Sequence, residues 1–200
     1  MRQLFIQLLL VLAMGAVAAP ITSPNGKISV TLDGVSLKVC YKGQQALDIV
    51  EAGITAPVAP VFTQHIKADY QMLAGKRRHC VNEANEYRIG TTILRVYNDG
   101  IALRTSSVSP QSSDVVYRIP EGTRRWMQQW CDSYEGFFPL STTYKVAPVP
   151  SYSGISKSAE GWNNRWGYPA LLESLPLSPS KKKGEEAVYV LISEANIQHY

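Results

Sequence analysis

The chain has 200 residues, 45% of them hydrophobic, and carries a formal charge of +4, or +3 once Arg2 is discounted with an N-terminal leader. That length allows one domain with a real core, and no second apolar stretch is long enough to span a membrane. Lys and Arg are spread along the chain rather than gathered in a stripe, which argues against a nucleic-acid partner.

Met1-Arg2-Gln3 places one positive charge ahead of the apolar run Leu4 to Ala13, and small residues follow from Gly15 to Ala19. This is the pattern of a secretory signal peptide over residues 1–19, cut after Ala18 or Ala19. The run is shorter than the roughly 20 apolar residues that a membrane span needs, and no Cys follows it to carry a lipid. The mature chain, residues 20–200, is expected in the periplasm or outside the cell.

Ile28, Val30 and Leu32 alternate with Lys27, Ser29 and Thr31, and after Asp33-Gly34 the alternation resumes with Val35, Leu37 and Val39. Two strands joined by a tight hairpin are predicted. A second hairpin is predicted where a long strand, Tyr87 to Tyr97, meets Asn98-Asp99-Gly100 and returns through Ile101, Leu103 and Thr105. Further strands are predicted at Asp114 to Ile119, Thr142 to Val146, Tyr168 to Glu173 and Ala187 to Ser193. The last is apolar on both faces, so it is expected in the middle of a layered sheet or beneath another domain. With no convincing long amphipathic helix, the expected architecture is all-β, an antiparallel sandwich. The Pro-, Gly- and Ser-rich segment 147–179 is expected to form long loops, and Lys181-Lys182-Lys183 a solvated one.

Nucleophile elbows, phosphate-binding loops and catalytic Cys motifs are missing, and His65, His79 and His199 stand apart from one another. Cys40, Cys80 and Cys131 permit one disulfide, with the pairing open. Glycosidases work with two carboxylates at a set separation in space, a criterion that does not rank Glu121, Glu135, Glu160 or Glu173. The one concentrated signal is aromatic. Trp126, Trp130, Trp162 and Trp166 all fall in the stretch that also holds Tyr134, Phe137, Phe138, Tyr144, Tyr152 and Tyr168. Flat rings suit the C–H faces of sugars, and they equally suit core or domain contacts.

Ser23-Pro24-Asn25-Gly26-Lys27, the run Leu94 to Arg104 with Val96-Tyr97-Asn98-Asp99-Gly100 inside it, Tyr134-Glu135-Gly136, Trp166 to Glu173, and Ile192-Ser193-Glu194-Ala195 together resemble the N-terminal domain of glycoside hydrolase family 97 over essentially the whole mature chain. The resemblance implies a β-super-sandwich of the galactose-mutarotase type, followed in the full-length protein by a catalytic (β/α)₈ barrel that this chain lacks, ending as it does near the barrel's expected start. It implies exported, calcium-dependent, exo-acting α-glucosidases or α-galactosidases acting on α-linked oligosaccharides, with the catalytic carboxylates in the barrel and none here. It also implies that Glu194 is a calcium ligand, reaching toward the barrel's active site as one of the several oxygens calcium needs. On this reading the chain buttresses the barrel, exposes an apolar face when alone, and shapes a pocket wall with Trp126, Trp130, Trp162, Trp166 and Tyr168. The alternative is a free-standing carbohydrate-binding module that uses the same aromatics as a platform and has no large apolar patch.

Overall fold

A computed structural model describes residues 20–105, 115–129, 137–143, 166–174 and 187–194. The leader, Trp130, Cys131, Trp162 and the Lys181-Lys182-Lys183 run lie outside these. Every regular element among the described residues is a strand, thirteen in all. They form three antiparallel sheets.

The first sheet is ordered β1 (Ile21–Thr22), β2 (Ile28–Asp33), β3 (Ser36–Tyr41), β4 (Gln44–Ala52), β9 (Val115–Arg118). The second runs β5 (Val61–Gln71), β6 (His79–Ile89), β7 (Thr92–Tyr97), β8 (Ile101–Thr105). Their facing residues make the main core: Ile28, Val30, Leu37, Val39 and Ile49 from the first sheet meet Tyr87, Ile89, Leu94 and Val96 from the second. Period-two alternation puts these residues on one face of each sheet, and burying that face is what joins the sheets into a sandwich.

The third sheet is ordered β11 (Leu140–Ser141), β10 (Arg124–Gln129), β12 (Trp166–Glu173), β13 (Tyr189–Ile192). Ala170, Leu172 and Ile192 on its inner face form a second core with Leu47 and Tyr117, residues that also flank the first. The apolar interior therefore runs on from the sandwich under the third sheet.

The β2–β3 hairpin forms as expected, but its two turn residues are Gly34-Val35 rather than Asp33-Gly34: Asp33 pairs with Ser36, which sets Leu32 opposite Leu37 and Val30 opposite Val39 and takes Val35 out of the strand. The expected single strand Tyr87 to Tyr97 is instead folded in two at Gly90, whose φ of +59° an L side chain adopts only with strain. Thr142 is not in a strand either: its carbonyl oxygen accepts from Gly122 N (2.9 Å) and Arg125 Nη2 (3.3 Å) rather than joining a ladder. Residues 144–146 of that expected strand lie outside the described ones. The largest correction concerns β13. Among the described residues it is an edge strand rather than a central one, and only one of its faces is covered, Ile192 being buried while Tyr189 and Leu191 are 56% and 65% exposed, so the place in the middle of a sheet is ruled out and the place beneath another domain stays open.

Candidate functional site

The pairing of the third sheet decides which side chains share its outer face. Trp126 lies opposite both Leu140 on β11 and Leu171 on β12, and Leu171 lies opposite Leu191 on β13. Directly paired residues in an antiparallel sheet point the same way. Leu140, Trp126, Leu171 and Leu191 therefore make one apolar row across all four strands. Leu140 and Leu191 are exposed, and Trp126 and Leu171 are half-buried.

The adjacent row is Arg124, Glu173 and Tyr189, again set by register. Arg124 Nη1 donates to Glu173 Oε2 at 2.6 Å, and its guanidinium stacks 5.2 Å from the centre of the Trp126 ring. Tyr189 reaches diagonally to Trp126, with ring centroids 6.4 Å apart. The ion pair and the cation–π contact hold the indole against the sheet, and so present a flat apolar surface rather than a loose side chain.

The inner face explains why the strands sit this firmly. Arg125, next to Trp126, points inward and is almost wholly buried, donating from Nε to Thr123 O (3.3 Å) and from Nη2 to Pro120 O and Thr142 O (both 3.3 Å). Burial pushes its pKa down, and the nearby Glu121 charge works against that shift. It stays charged, because an arginine titrates so far above neutrality.

Of the residues singled out from sequence, Trp126 stands at the centre of this face. Trp166 opens β12 opposite Gln129, half-buried, and Tyr168 is exposed before Pro169, with a cis bond between them. Trp130 and Trp162 lie outside the described residues. Glu194 follows β13 at the surface, close enough to raise the Tyr117 pKa by its charge, a smaller cause than the burial of Tyr117 itself. Among the described residues no group of three or more His, Cys, Asp or Glu side chains is gathered to hold a metal. Glu194 thus has no companions for a calcium cage among them, and fits only as one ligand of a site completed from elsewhere.

Sequence reasoning missed Leu140 and Arg124, and it held Glu173 only as an unranked carboxylate and Leu171 only as part of a motif; their membership of the face comes from register alone. It did notice Tyr189 and Leu191, as half of a strand with too many apolar residues.

Two of the motifs that carried the family resemblance, Ser23 to Lys27 and the Asn98-Asp99-Gly100 turn, meet elsewhere, at one end of the sandwich, while Trp166 to Glu173 and Ile192 to Glu194 belong to the third sheet and its margin. Asn25 N donates to Asn98 Oδ1 (2.9 Å), and Asn98 Nδ2 donates to Glu83 Oε2 (3.1 Å). His65 bridges Glu83 (3.2 Å) and Asn85 (2.9 Å), and Asn85 Nδ2 donates to Thr22 O (2.9 Å). The Ser23-Pro24-Asn25-Gly26 turn and the Asn98-Asp99-Gly100 turn are thus clasped together by side chains that satisfy backbone groups. This pairs the two sheets and needs no ligand.

No curated protein and no solved structure matches the chain. The family model described as glycosyl-hydrolase 97 N-terminal matches residues 21–200, nearly the whole length, and the chain belongs to that family.

Proposed function

We propose that this domain is the non-catalytic N-terminal part of a calcium-dependent, exo-acting α-glycoside hydrolase of the α-glucosidase type, exported with residues 1–19 removed, in which the outer face of the third sheet seats against the catalytic (β/α)₈ barrel. One observation carries the reading: the row Leu140, Trp126, Leu171 and Leu191 is apolar across four strands, yet nothing among the described residues covers its ends. Contiguous apolar surface of this kind marks a contact site. Family membership supplies the partner, because a hydrolase N-terminal domain works beside a catalytic one. Glu194, just past β13 at the margin of this sheet, lends one carboxylate oxygen to the barrel's calcium site, whose ion would hold and polarise sugar oxygens near the reacting bond.

The test uses the full-length hydrolase. Leu191→Asp is expected to lower its melting temperature and its activity on α-linked oligosaccharides while leaving the melting of the isolated domain unchanged. Glu194→Gln is expected to weaken calcium binding at least tenfold, read by calorimetry; unchanged affinity would remove Glu194 from the site.

The Trp126–Tyr189 pair, its rings tilted 39° to each other, beside the Arg124–Glu173 ion pair also has the make-up of a sugar platform, which favours the carbohydrate-binding module as second reading. Oligosaccharide binding by the isolated domain that Trp126→Ala abolishes, together with an indifferent Leu191→Asp hydrolase, would select it.

A further inference from the structure

Strands β5 and β6 are eleven residues each, but β7 pairs only with Ala84–Ile89 of β6. Beyond that point Lys67–Gln71 and His79–Glu83 pair solely with each other, an arm of about 16 Å at the usual rise per residue. Register gives the arm two unlike faces. Lys67, Asp69, Gln71, His79 and Glu83 line one, with the exposed Val81 among them opposite Asp69, and His79 Nε2 meets Asp69 Oδ1 at 2.5 Å. Ile66, Ala68, Tyr70 and Cys80 line the other, and Asn82 Nδ2 donates to the Tyr70 hydroxyl (3.1 Å).

The tip, Met72 to Arg78, is closed by Met72 N donating to Arg78 O (2.7 Å). Leu73 is 107% exposed, and Met72, Lys76, Arg77 and Arg78 are exposed around it. From Gln71 to Arg78 the charge is +3 with no carboxylate, and among the described residues no ion pair engages any of the three cations.

We propose that this tip is a docking device for an anionic lipid surface, with Leu73 and Met72 entering the acyl boundary, Tyr70 at headgroup level, and Lys76, Arg77 and Arg78 against lipid phosphates. The chemistry matches on both counts, since a bilayer offers apolar depth beneath a layer of negative charge. Exposure favours a bilayer over a protein groove: Leu73 stands fully exposed at the end of a ribbon that has no third strand beside it among the described residues, and a soft surface receives such a side chain without a preformed socket. This use of the arm is independent of the hydrolase reading, which concerns the third sheet.

The experiment takes the chain from Pro20, which holds every described strand and omits the apolar leader that would itself partition. Co-sedimentation is measured with vesicles of phosphatidylcholine alone and of phosphatidylcholine with phosphatidylglycerol. Binding is expected to the second kind only. Replacing Lys76, Arg77 and Arg78 together by Ser is expected to lower the partition coefficient about 100-fold, near fivefold per charge. Leu73→Asp should reduce binding further, with circular dichroism unchanged because these side chains have no packing to lose. Leu191→Asp, on the third sheet, should bind like the parent. Equal binding to both vesicle kinds, or tip variants that bind like the parent while Leu191→Asp does not, overturns the proposal. Absence of vesicle binding, with the tip variants instead lowering the melting temperature of the full-length hydrolase, also overturns it and makes the tip an internal contact.

Discussion

Glu86 shows how one carboxylate can be held ionised while its neighbours on the sheet bury it. Arg95 Nε donates to its Oε2 at 2.7 Å, and Gln64 Nε2 and Thr63 Oγ1 both donate to its Oε1 at 3.0 Å. The Arg95 hydrogen bond leads these causes, which together outweigh desolvation and hold the Glu86 pKa at about 2 against an ordinary 4.5. A folded pKa below the unfolded one stabilises the fold above pH 4.5, and the contribution disappears as pH falls from there toward 2. We expect Glu86→Gln to flatten this part of the stability profile by ~1–2 kcal/mol, allowing for solvent screening of half-exposed Arg95. Urea unfolding of parent and variant at the two ends of that window measures it; parallel profiles would show that Glu86 is not the titrating group. At Gly53 the backbone itself sets the limit. Its φ is +66°, Thr92 Oγ1 donates to its carbonyl oxygen (2.8 Å), and an added Cβ would collide with Thr105 Cγ2. Gly53→Ala is expected to cost about 2 kcal/mol or more in denaturation, from strain and overpacking together.

Among the elements, β12 and β13 allow a comparison with few variables. Leu172 and Leu191 lie on these neighbouring strands, Leu172 on the buried face and Leu191 on the open one. Leu172→Ala removes packing from the second core and should cost about 2–4 kcal/mol. Leu191→Ala leaves nothing unfilled and should stay within about 0.5 kcal/mol in the isolated domain. Chemical denaturation of the two variants checks the assignment of faces, and equal costs would mean that the outer face is packed after all. The strand's apolar sequence had pointed to burial on both sides. Alternation alone cannot separate a face covered by the same domain from one awaiting another.

Across the whole molecule, Leu47 and Tyr117 link the two cores, so the third sheet should not melt alone. With Trp130 and Trp162 replaced by Phe, Trp126 and Trp166 report on that sheet by fluorescence, whereas far-ultraviolet circular dichroism averages over all three. The two signals are expected to give coincident urea transitions, the mark of one cooperative unit. An earlier fluorescence midpoint would make the third sheet a separate unit.

The amino-acid sequence by itself determined the all-β class, the existence of the first hairpin though not its register, and the family. Alternation and turn dipeptides act over a few residues and are written directly in the chain. It did not disclose β4 or β5. Gln44–Ala52 shows little alternation, and Val61–Gln71 alternates only in its second half, with Ile66, Ala68 and Tyr70 against Lys67, Asp69 and Gln71 and no tight-turn dipeptide to frame it. The outer face of the third sheet was legible only as an excess of aromatics around Trp126 and Trp166. Its row of Leu140, Trp126, Leu171 and Leu191 joins residues up to 65 positions apart, and only strand order and register put them side by side. The edge place of β13 was likewise a tertiary decision, because a strand's sequence records how apolar it is, while its neighbours determine which of its faces are covered.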